Sequence, residues 1–166
     1  MDNDILFKTD EFIFSYRVAG VLIQNGMILL QKPVNDGYSL IGGHIKKFET
    51  GKDALKREFM EELHVKIDVD SLFAVVETFW LWGKTPCHQL GLYYKIHLLD
   101  DVIPLEGSFF GYDELGGKQI DMEFCWIALE ELKNGLELYP SELIPFILDD
   151  KGKTVHFVSN QINVDE

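Results

Sequence analysis

The dipeptide Asn25-Gly26 constrains the fold most, because it lies between two apolar runs, YRVAGVLIQ and MILLQK. Asn-Gly between strand-forming segments is typical of a tight β-hairpin turn. Two further strand-like runs, within residues 72–99, are split by Gly-Lys-Thr-Pro at 83–86 and predict a second hairpin. Hairpins join antiparallel strands, so the sequence favours a mixed, largely antiparallel sheet over a parallel doubly wound one.

A helix is predicted at about residues 51–63. Thr50 stands where an N-cap residue would, with Asp53 three positions later. The apolar residues that recur at helical spacing, and so form one buried face, are Ala54, Leu55, Phe59 and Leu63. Elsewhere we predict a loop-rich segment at 100–121, a short strand at 124–127, a small helix at 129–132, a helix at 141–150 capped by Ser141, and an edge strand within 153–162. This order predicts a mixed α/β sandwich with helices on both sides of the sheet.

Length and composition indicate one globular domain: the chain has 166 residues, 46% of them hydrophobic. The net charge of -13 argues against a nucleic-acid polymer as partner, because such a surface repels phosphate backbones. No apolar stretch approaches the roughly 20 residues that cross a bilayer, and the acidic start does not resemble a secretory signal. We therefore expect a cytoplasmic protein without a membrane partner, with Cys87 and Cys125 as buried thiols.

Three glutamates, Glu58, Glu61 and Glu62, fall on one edge of the predicted helix, here called the acid edge. Like charges at this spacing repel each other, so a bound cation is expected to offset them. Carboxylate oxygens suit Mg²⁺, which usually keeps positions for water and phosphate. Arg57 is expected to pair with Glu61 at i,i+4. The alternative is an ordinary solvated helix face.

The spacing of the polar residues over 42–65 closely resembles the Nudix box, the signature of hydrolases acting on nucleoside diphosphates linked to another group. The positions that carry the resemblance are Gly43, Glu49, Arg57, Glu58, Glu61 and Glu62. His64 departs from the pattern, since it replaces the glycine that normally ends the helix, and Ile41 stands where many relatives have proline. The first departure concerns the helix end more than the chemistry.

The resemblance implies a Nudix-type α/β/α sandwich over about residues 12–150 of a single domain, 1–166. It also implies water attack on phosphorus in a diphosphate linkage, assisted by Mg²⁺ or Mn²⁺. By position, Glu58 and Glu62 would be direct metal ligands, and Glu61 a ligand or the base that orients water. The carbonyl of Gly42 or Gly43 would complete the shell. Glu49 and Arg57 would orient the loop and the carboxylates.

Members of the family often use a further acid outside the box, and Glu106, Glu114 and Glu123 lie in the right part of the chain. We favour Glu123, with an ordinary surface acid as the alternative. Arg17 and Lys32 could contact phosphates, or be sheet-edge charges. Trp80, with Phe79 and Trp82, could stack on a base, or belong to the core.

Two other functional classes are open. One is a non-catalytic, nucleotide-binding regulatory module on the same fold, and the other is an isomerase of diphosphate compounds, for which no separate nucleophile is evident. Among hydrolase substrates, nucleoside triphosphates, nucleotide sugars such as ADP-ribose, dinucleoside polyphosphates and non-nucleotide diphosphates all fit. The aromatic residues around Trp80 would also suit a homodimer face.

Overall fold

The computed structural model describes residues 3–32, 37–115 and 118–162. The strands are β1 (Leu6–Lys8), β2 (Ile13–Gln24), β3 (Met27–Lys32), β4 (Tyr38–Ser39), β5 (Ile41–His44), β6 (Ile67–Trp82), β7 (Thr85–Leu98), β8 (Ser108–Leu115), β9 (Lys118–Ala128), β10 (Leu138–Tyr139) and β11 (Val155–Asn160). The helices are α1 (Gly51–Leu63), α2 (Leu129–Lys133) and α3 (Ile144–Leu148), and a 3-10 turn spans Ser141–Leu143.

Both predicted hairpins are confirmed. Strands β2 and β3 meet at Asn25-Gly26, where both residues have positive φ, 54° and 73°. This is the backbone that a two-residue primed turn requires. Strands β6 and β7 are antiparallel along their length and meet at Gly83, whose φ is 64°.

Strand β2 lies at the centre of the sheet and joins most of its parts. It pairs antiparallel with β1, β3 and β5, and parallel with β7. The pairs β4–β10 and β6–β11 are also parallel, while β3–β4, β3–β9, β6–β7 and β8–β9 are antiparallel. The predicted mixed, largely antiparallel sheet and the edge strand near the C-terminus are therefore confirmed.

Helices cover both faces of the sheet. On one face, Phe59 of α1 is fully buried in a core that includes Val18 of β2 and Trp126 of β9. On the other face, Leu132 of α2 and Ile147 of α3 pack in a second core. The molecule is thus an α/β/α sandwich, as predicted. In the described part of the chain, each helix is too short or too polar to cross a lipid bilayer.

The prediction of a loop-rich segment at 100–121 was wrong over its second half. Strands β8 and β9 form an antiparallel hairpin there, and β9 begins at Lys118, well before the predicted short strand. The glycine that suggested a loop, Gly111, lies within β8. A Cβ atom at this position would come 2.3 Å from the carbonyl oxygen of Glu62, so the glycine allows β8 to approach the end of α1.

The helix predicted at 141–150 was also wrong in its start and length. Ser141 begins the 3-10 turn, whose N-cap residue is Pro140, and α3 has Leu143 as its N-cap residue and ends at Leu148. Pro145 lies in the first turn of α3, where the missing N–H would lack a helical partner in any case. The segment therefore accommodates the proline by forming a 3-10 turn followed by a short helix, instead of one continuous helix.

Candidate functional site

Helix α1 is fixed at both ends by its own sequence. At the start, Thr50 Oγ1 accepts a hydrogen bond from the Asp53 N–H at 3.2 Å, as predicted. At the end, His64 adopts the left-handed conformation, with φ 56° and ψ 33°, and its N–H donates to the Phe59 carbonyl. The His64 ring lies 5.2 Å from that of Tyr112 in β8. Histidine therefore keeps the turn that glycine normally makes and adds a contact to β8.

Arg57 joins the loop before α1 to the acid edge. Its Nε and Nη2 donate to the two carboxylate oxygens of Glu49 at 2.7 and 3.0 Å. Its Nη1 donates to Glu58 at 2.6 Å and to Glu61 at 3.0 Å, so the expected i,i+4 pair is present. Nη2 also donates to the His44 carbonyl at 2.9 Å. One guanidinium thus fixes carboxylates from the loop and the helix, and a carbonyl of β5.

The pKa values follow from this arrangement. The hydrogen bond from Arg57 holds the pKa of Glu49 below its usual range. Burial disfavours the charged form of Arg57, but its hydrogen bonds to Glu49 and Glu58 outweigh burial and raise its pKa. Burial raises the pKa of Glu58, against the opposing effect of the Arg57 hydrogen bond.

The acid edge is not a uniformly solvated helix face. Glu62 is only 4% exposed, and the Glu58 side chain is 12% exposed, whereas the Glu61 side chain is 46% exposed. Glutamates are rarely buried to this degree unless they are paired or bind a metal ion. Burial of two of the three carboxylates therefore argues against the alternative of an ordinary charged surface.

Two glycines of β5 let the backbone come close to the acid edge. A Cβ atom on Gly43 would lie 2.3 Å from the carboxyl carbon of Glu58, and one on Gly42 would lie 1.9 Å from the Val18 carbonyl oxygen. Arg17 Nη2 donates to the Gly42 carbonyl at 3.3 Å. Arg17 is also close enough to lower the pKa of Glu58, although burial is the largest influence on that carboxyl.

The oxygens brought together here suit a hard divalent cation. They are the carboxylates of Glu58, Glu61 and Glu62, beside the backbone of Gly42 and Gly43, whose missing Cβ atoms leave the room described above. Arg57 contacts both Glu58 and Glu61, and Lys46 forms a further ion pair with Glu61. Within the described chain, no three acids lie close enough together to enclose an ion.

A cavity of about 490 Å³ adjoins this region on the sheet face that α3 also covers. It is bordered by Arg17 of β2, Thr78 and Trp80 of β6, and Gln89 and Tyr93 of β7. Burial raises the pKa of Tyr93 to about 12, so this side chain is neutral at ordinary pH. Arg17 is therefore shared by the cavity and by the surroundings of the acid edge.

The remaining predicted residues lie apart from this group. Lys32 and Glu123 face each other across β3 and β9 and form an ion pair at 3.5 Å. Glu106 is exposed, and the side chain of Glu114 lies outside the described residues. No pattern in the sequence indicated that Thr78, Gln89 or Tyr93 would line a cavity, because neutral polar and aromatic residues are ordinary in a strand.

The comparisons agree with the fold and the box. The model of the NUDIX domain matches residues 15–147. The chain resembles an ADP-ribose pyrophosphatase from Streptococcus suis 89-1591 (15% identity, 86% of this chain and 98% of that chain covered, TM-score 0.57) and the MutT protein from Methanosarcina mazei Go1 (17% identity, 88% and 100% covered, TM-score 0.57).

It also resembles a NUDIX hydrolase from Nitrosomonas europaea, with 13% identity, 92% of this chain and 82% of that chain covered, and a TM-score of 0.58. At these identities the three structures show a shared fold. A comparison with curated protein sequences gave no match. The family model spans most of the chain and includes α1 and the two glycines of β5. The protein belongs to the Nudix hydrolase family.

Proposed function

We propose that this protein is a Mg²⁺- or Mn²⁺-dependent hydrolase that cleaves the diphosphate linkage of a small molecule, such as a nucleoside triphosphate or an ADP-ribose-like compound. The observation that carries the proposal is the acid edge itself: Glu58 and Glu62 are buried, and Arg57 holds Glu58 and Glu61 beside the Gly42–Gly43 backbone. Such a cluster is costly to fold without a compensating charge.

The residues that would hold the ion are Glu58 and Glu62, with Glu61 and the Gly42 carbonyl as further candidates. When bound, a divalent ion supplies positive charge that screens the phosphates and acidifies water. Because Gly43 has no side chain, the Glu58 carboxylate lies directly over the β5 backbone. This close approach supports a ligand set drawn from both the carboxylates of α1 and a carbonyl of β5.

The chain's own residues have distinct roles in the proposed reaction. Arg17 binds a phosphate oxygen. To do so, its guanidinium breaks the 3.3 Å hydrogen bond to the Gly42 carbonyl and donates to the phosphate instead. Glu61, partly exposed and held by Arg57 at 3.0 Å and Lys46 at 3.7 Å, accepts a proton from the attacking water. A new P–O bond forms to the water oxygen as the bond to the bridging oxygen breaks.

Residues outside the box have secondary roles in this proposal. Glu123 would serve as an additional acid, and its ion pair with Lys32 would have to break first. Once that pair opens, Lys32 is free to contact a phosphate at the substrate's outer end. Trp80 borders the cavity and offers an aromatic surface to the group linked to the diphosphate.

The test is product analysis for a panel of nucleoside triphosphates, nucleotide sugars including ADP-ribose, dinucleoside polyphosphates and a base-free diphosphate, with Mg²⁺, with Mn²⁺ and with a chelator. Metal-dependent cleavage between two phosphorus atoms is expected for at least one compound. Binding of nucleotides without turnover under every condition would contradict the proposal and favour the regulatory-module alternative.

A further inference from the structure

Part of the sheet is left uncovered on the side where α1 lies. Rings from four neighbouring strands form a row there, here called the aromatic row: Phe7 of β1, Phe14 of β2, His88 of β7 and Phe79 of β6. Successive ring centroids are 6.2, 6.0 and 4.7 Å apart. His88 lies on the same side of β7 as Leu92, which packs against the core that contains α1. The row therefore continues the face that α1 covers, but neither core of the described chain includes its members.

The aromatic row belongs to a larger apolar surface that is exposed to solvent. Phe7 is 61% exposed, Leu81 of β6 is 51% exposed and Val158 of β11 is 49% exposed. The strand register places Leu81 and Val158 on the same side of the sheet as the row. Glu77, opposite Val158, is already paired with His156, with 3.0 Å between Oε2 and Nε2. The aromatic row with Leu81 and Val158, here called the open face, is therefore apolar, and the acid within it is neutralised locally.

The two ends of the open face carry opposite charges. At one end, the turn between β1 and β2 exposes Asp10 and Glu11. At the other end, the turn between β5 and α1 exposes Lys47, whose Nζ lies 4.9 Å from the centroid of the Phe48 ring. Both turns border β1, the second through a bridge between Lys46 and the segment that precedes β1. A two-fold axis along the aromatic row would therefore place the acidic turn of one copy against the basic turn of another, twice.

Phe48 is presented to solvent at a cost in backbone strain. It is 96% exposed, and its φ of 64° lies in the left-handed region, which is unfavourable for a bulky side chain. The turn that carries it is closed by the Glu49 N–H, which donates to the Lys46 carbonyl at 3.0 Å. Strain of this kind is commonly retained at functional contacts. Phe12, 46% exposed beside the acidic turn, is the apolar group that the same two-fold axis would bring towards Phe48.

We propose that the open face is the interface of a homodimer, in which two copies pack face to face about a two-fold axis along the aromatic row. This inference goes beyond the proposed function and does not depend on it. A nucleic acid or an anionic membrane would be repelled by the net charge of -13. A second copy supplies both the apolar surface and the complementary charges of the two turns. Trp80, considered above for a homodimer face, borders the cavity on the opposite side of β6.

The size of the open face indicates how stable the dimer is. Five neighbouring strands spaced by about 4.8 Å, with two or three alternate residues along each, give a footprint of roughly 400 Å² per copy. Stable complexes usually bury about 800 Å² on each partner. The open face therefore fits a weak, reversible dimer and not an obligate one.

The first test is sedimentation equilibrium of the full chain from low micromolar concentration to roughly 1 mM, with circular dichroism to check folding. We expect a concentration-dependent equilibrium between monomer and dimer. Phe7→Gln should raise the dissociation constant about tenfold or more. Phe110→Gln, at a residue of β8 that is 74% exposed and outside the open face, should leave it unchanged. A monomer at every concentration, or equal weakening by both substitutions, overturns the proposal.

Phe48→Gly separates association from folding. Glycine tolerates a φ of 64°, so this variant should weaken the dimer about tenfold without lowering the stability of the monomer. A dimer that Phe48→Gly leaves intact would overturn the proposal, as would a loss explained by an unstable monomer. These measurements do not involve hydrolysis, so their failure leaves the proposed function standing.

Charge reversal tests the orientation of the two copies. Lys47→Glu should weaken the dimer, because it places acids opposite Asp10 and Glu11. Combining it with Asp10→Lys and Glu11→Lys should restore the dissociation constant of the unaltered protein. A dimer that the combined change does not restore contradicts the proposed two-fold arrangement.

Discussion

The two parts of the site, the acid edge and the cavity, differ in how their polar groups are satisfied. At the acid edge, Arg57 engages Glu49, Glu58 and Glu61 in hydrogen bonds of 2.6–3.0 Å. In the cavity, the Thr78 hydroxyl has no partner within the described residues. The chain's own guanidinium therefore fixes Glu58 and Glu61 of the acid edge, whereas the Thr78 hydroxyl of the other part receives no such bond from the described residues. The following predictions test this division in order of decreasing effect.

Neutralising a buried acid should have the largest effect. Glu58→Gln and Glu62→Gln each remove a proposed metal ligand with little change in shape, and turnover should fall by roughly three orders of magnitude. Steady-state assays and circular dichroism of the same preparations measure the loss and check folding. Glu130→Gln, the same change on exposed α2, is the control and should be neutral. Near-normal rates in both acid-edge variants would remove the acids from the mechanism.

Removing the guanidinium should lower stability. Arg57→Gln leaves the carboxylates of Glu49 and Glu58, 16% and 12% exposed, without their cation, and should lower the free energy of unfolding by about 3 kcal/mol. Urea unfolding measures this change. Lys133→Gln, which breaks the exposed pair with Glu130, should cost about 0.5 kcal/mol or less. Equal costs would show that the Arg57 network is an ordinary surface arrangement.

Adding a methyl group at Gly43 should lower activity, whereas adding one at Gly83 should lower only stability. In Gly43→Ala, the added Cβ would lie 2.3 Å from the Glu58 carboxyl carbon, so that carboxylate must move. A displacement of about 1 Å at such a site costs roughly 100-fold in rate. Gly83→Ala, where a Cβ meets nothing within 4 Å but φ is 64°, should lower only stability, by about 1 kcal/mol. Full activity in Gly43→Ala would indicate that the position of Glu58 is unimportant.

The end of α1 should respond least. His64→Gly relieves a left-handed backbone but loses the ring contact with Tyr112, so stability should change by less than about 1 kcal/mol, with hydrolysis unaltered. Thermal unfolding and the standard assay measure both. A large loss of activity would reveal a role for the imidazole that its contacts do not suggest.

Local patterns in the sequence predicted the elements that depend on local chemistry. The Asn25-Gly26 turn, the Thr50 cap and the Arg57–Glu61 pair all involve residues within a few positions of one another. The β8–β9 hairpin was missed because Gly111 reads as a loop residue until β8 is seen against α1. The close approach between distant elements, rather than a turn, explains that glycine.

The cavity could not be predicted for a similar reason. A two-residue turn at Gly83 fixes the register that places Thr78 opposite Gln89. Nothing in that register indicates that this face would lie beside Tyr139, Pro140 and Gln161, which complete the cavity from distant parts of the chain. Residue type also gave no signal, since threonine and glutamine on a strand are usually read as surface residues.

The parallel pairing of β2 with β7 has a consequence for the order in which the molecule forms. The acid edge lies on α1, which packs against the paired strands β2 and β5, and these three elements all fall between residues 13 and 63. The cavity needs Gln89 and Gln161 as well, so it forms only after long-range closure, which is intrinsically slower. During synthesis on the ribosome, the acid edge therefore emerges first, and the residues that line the cavity come together last.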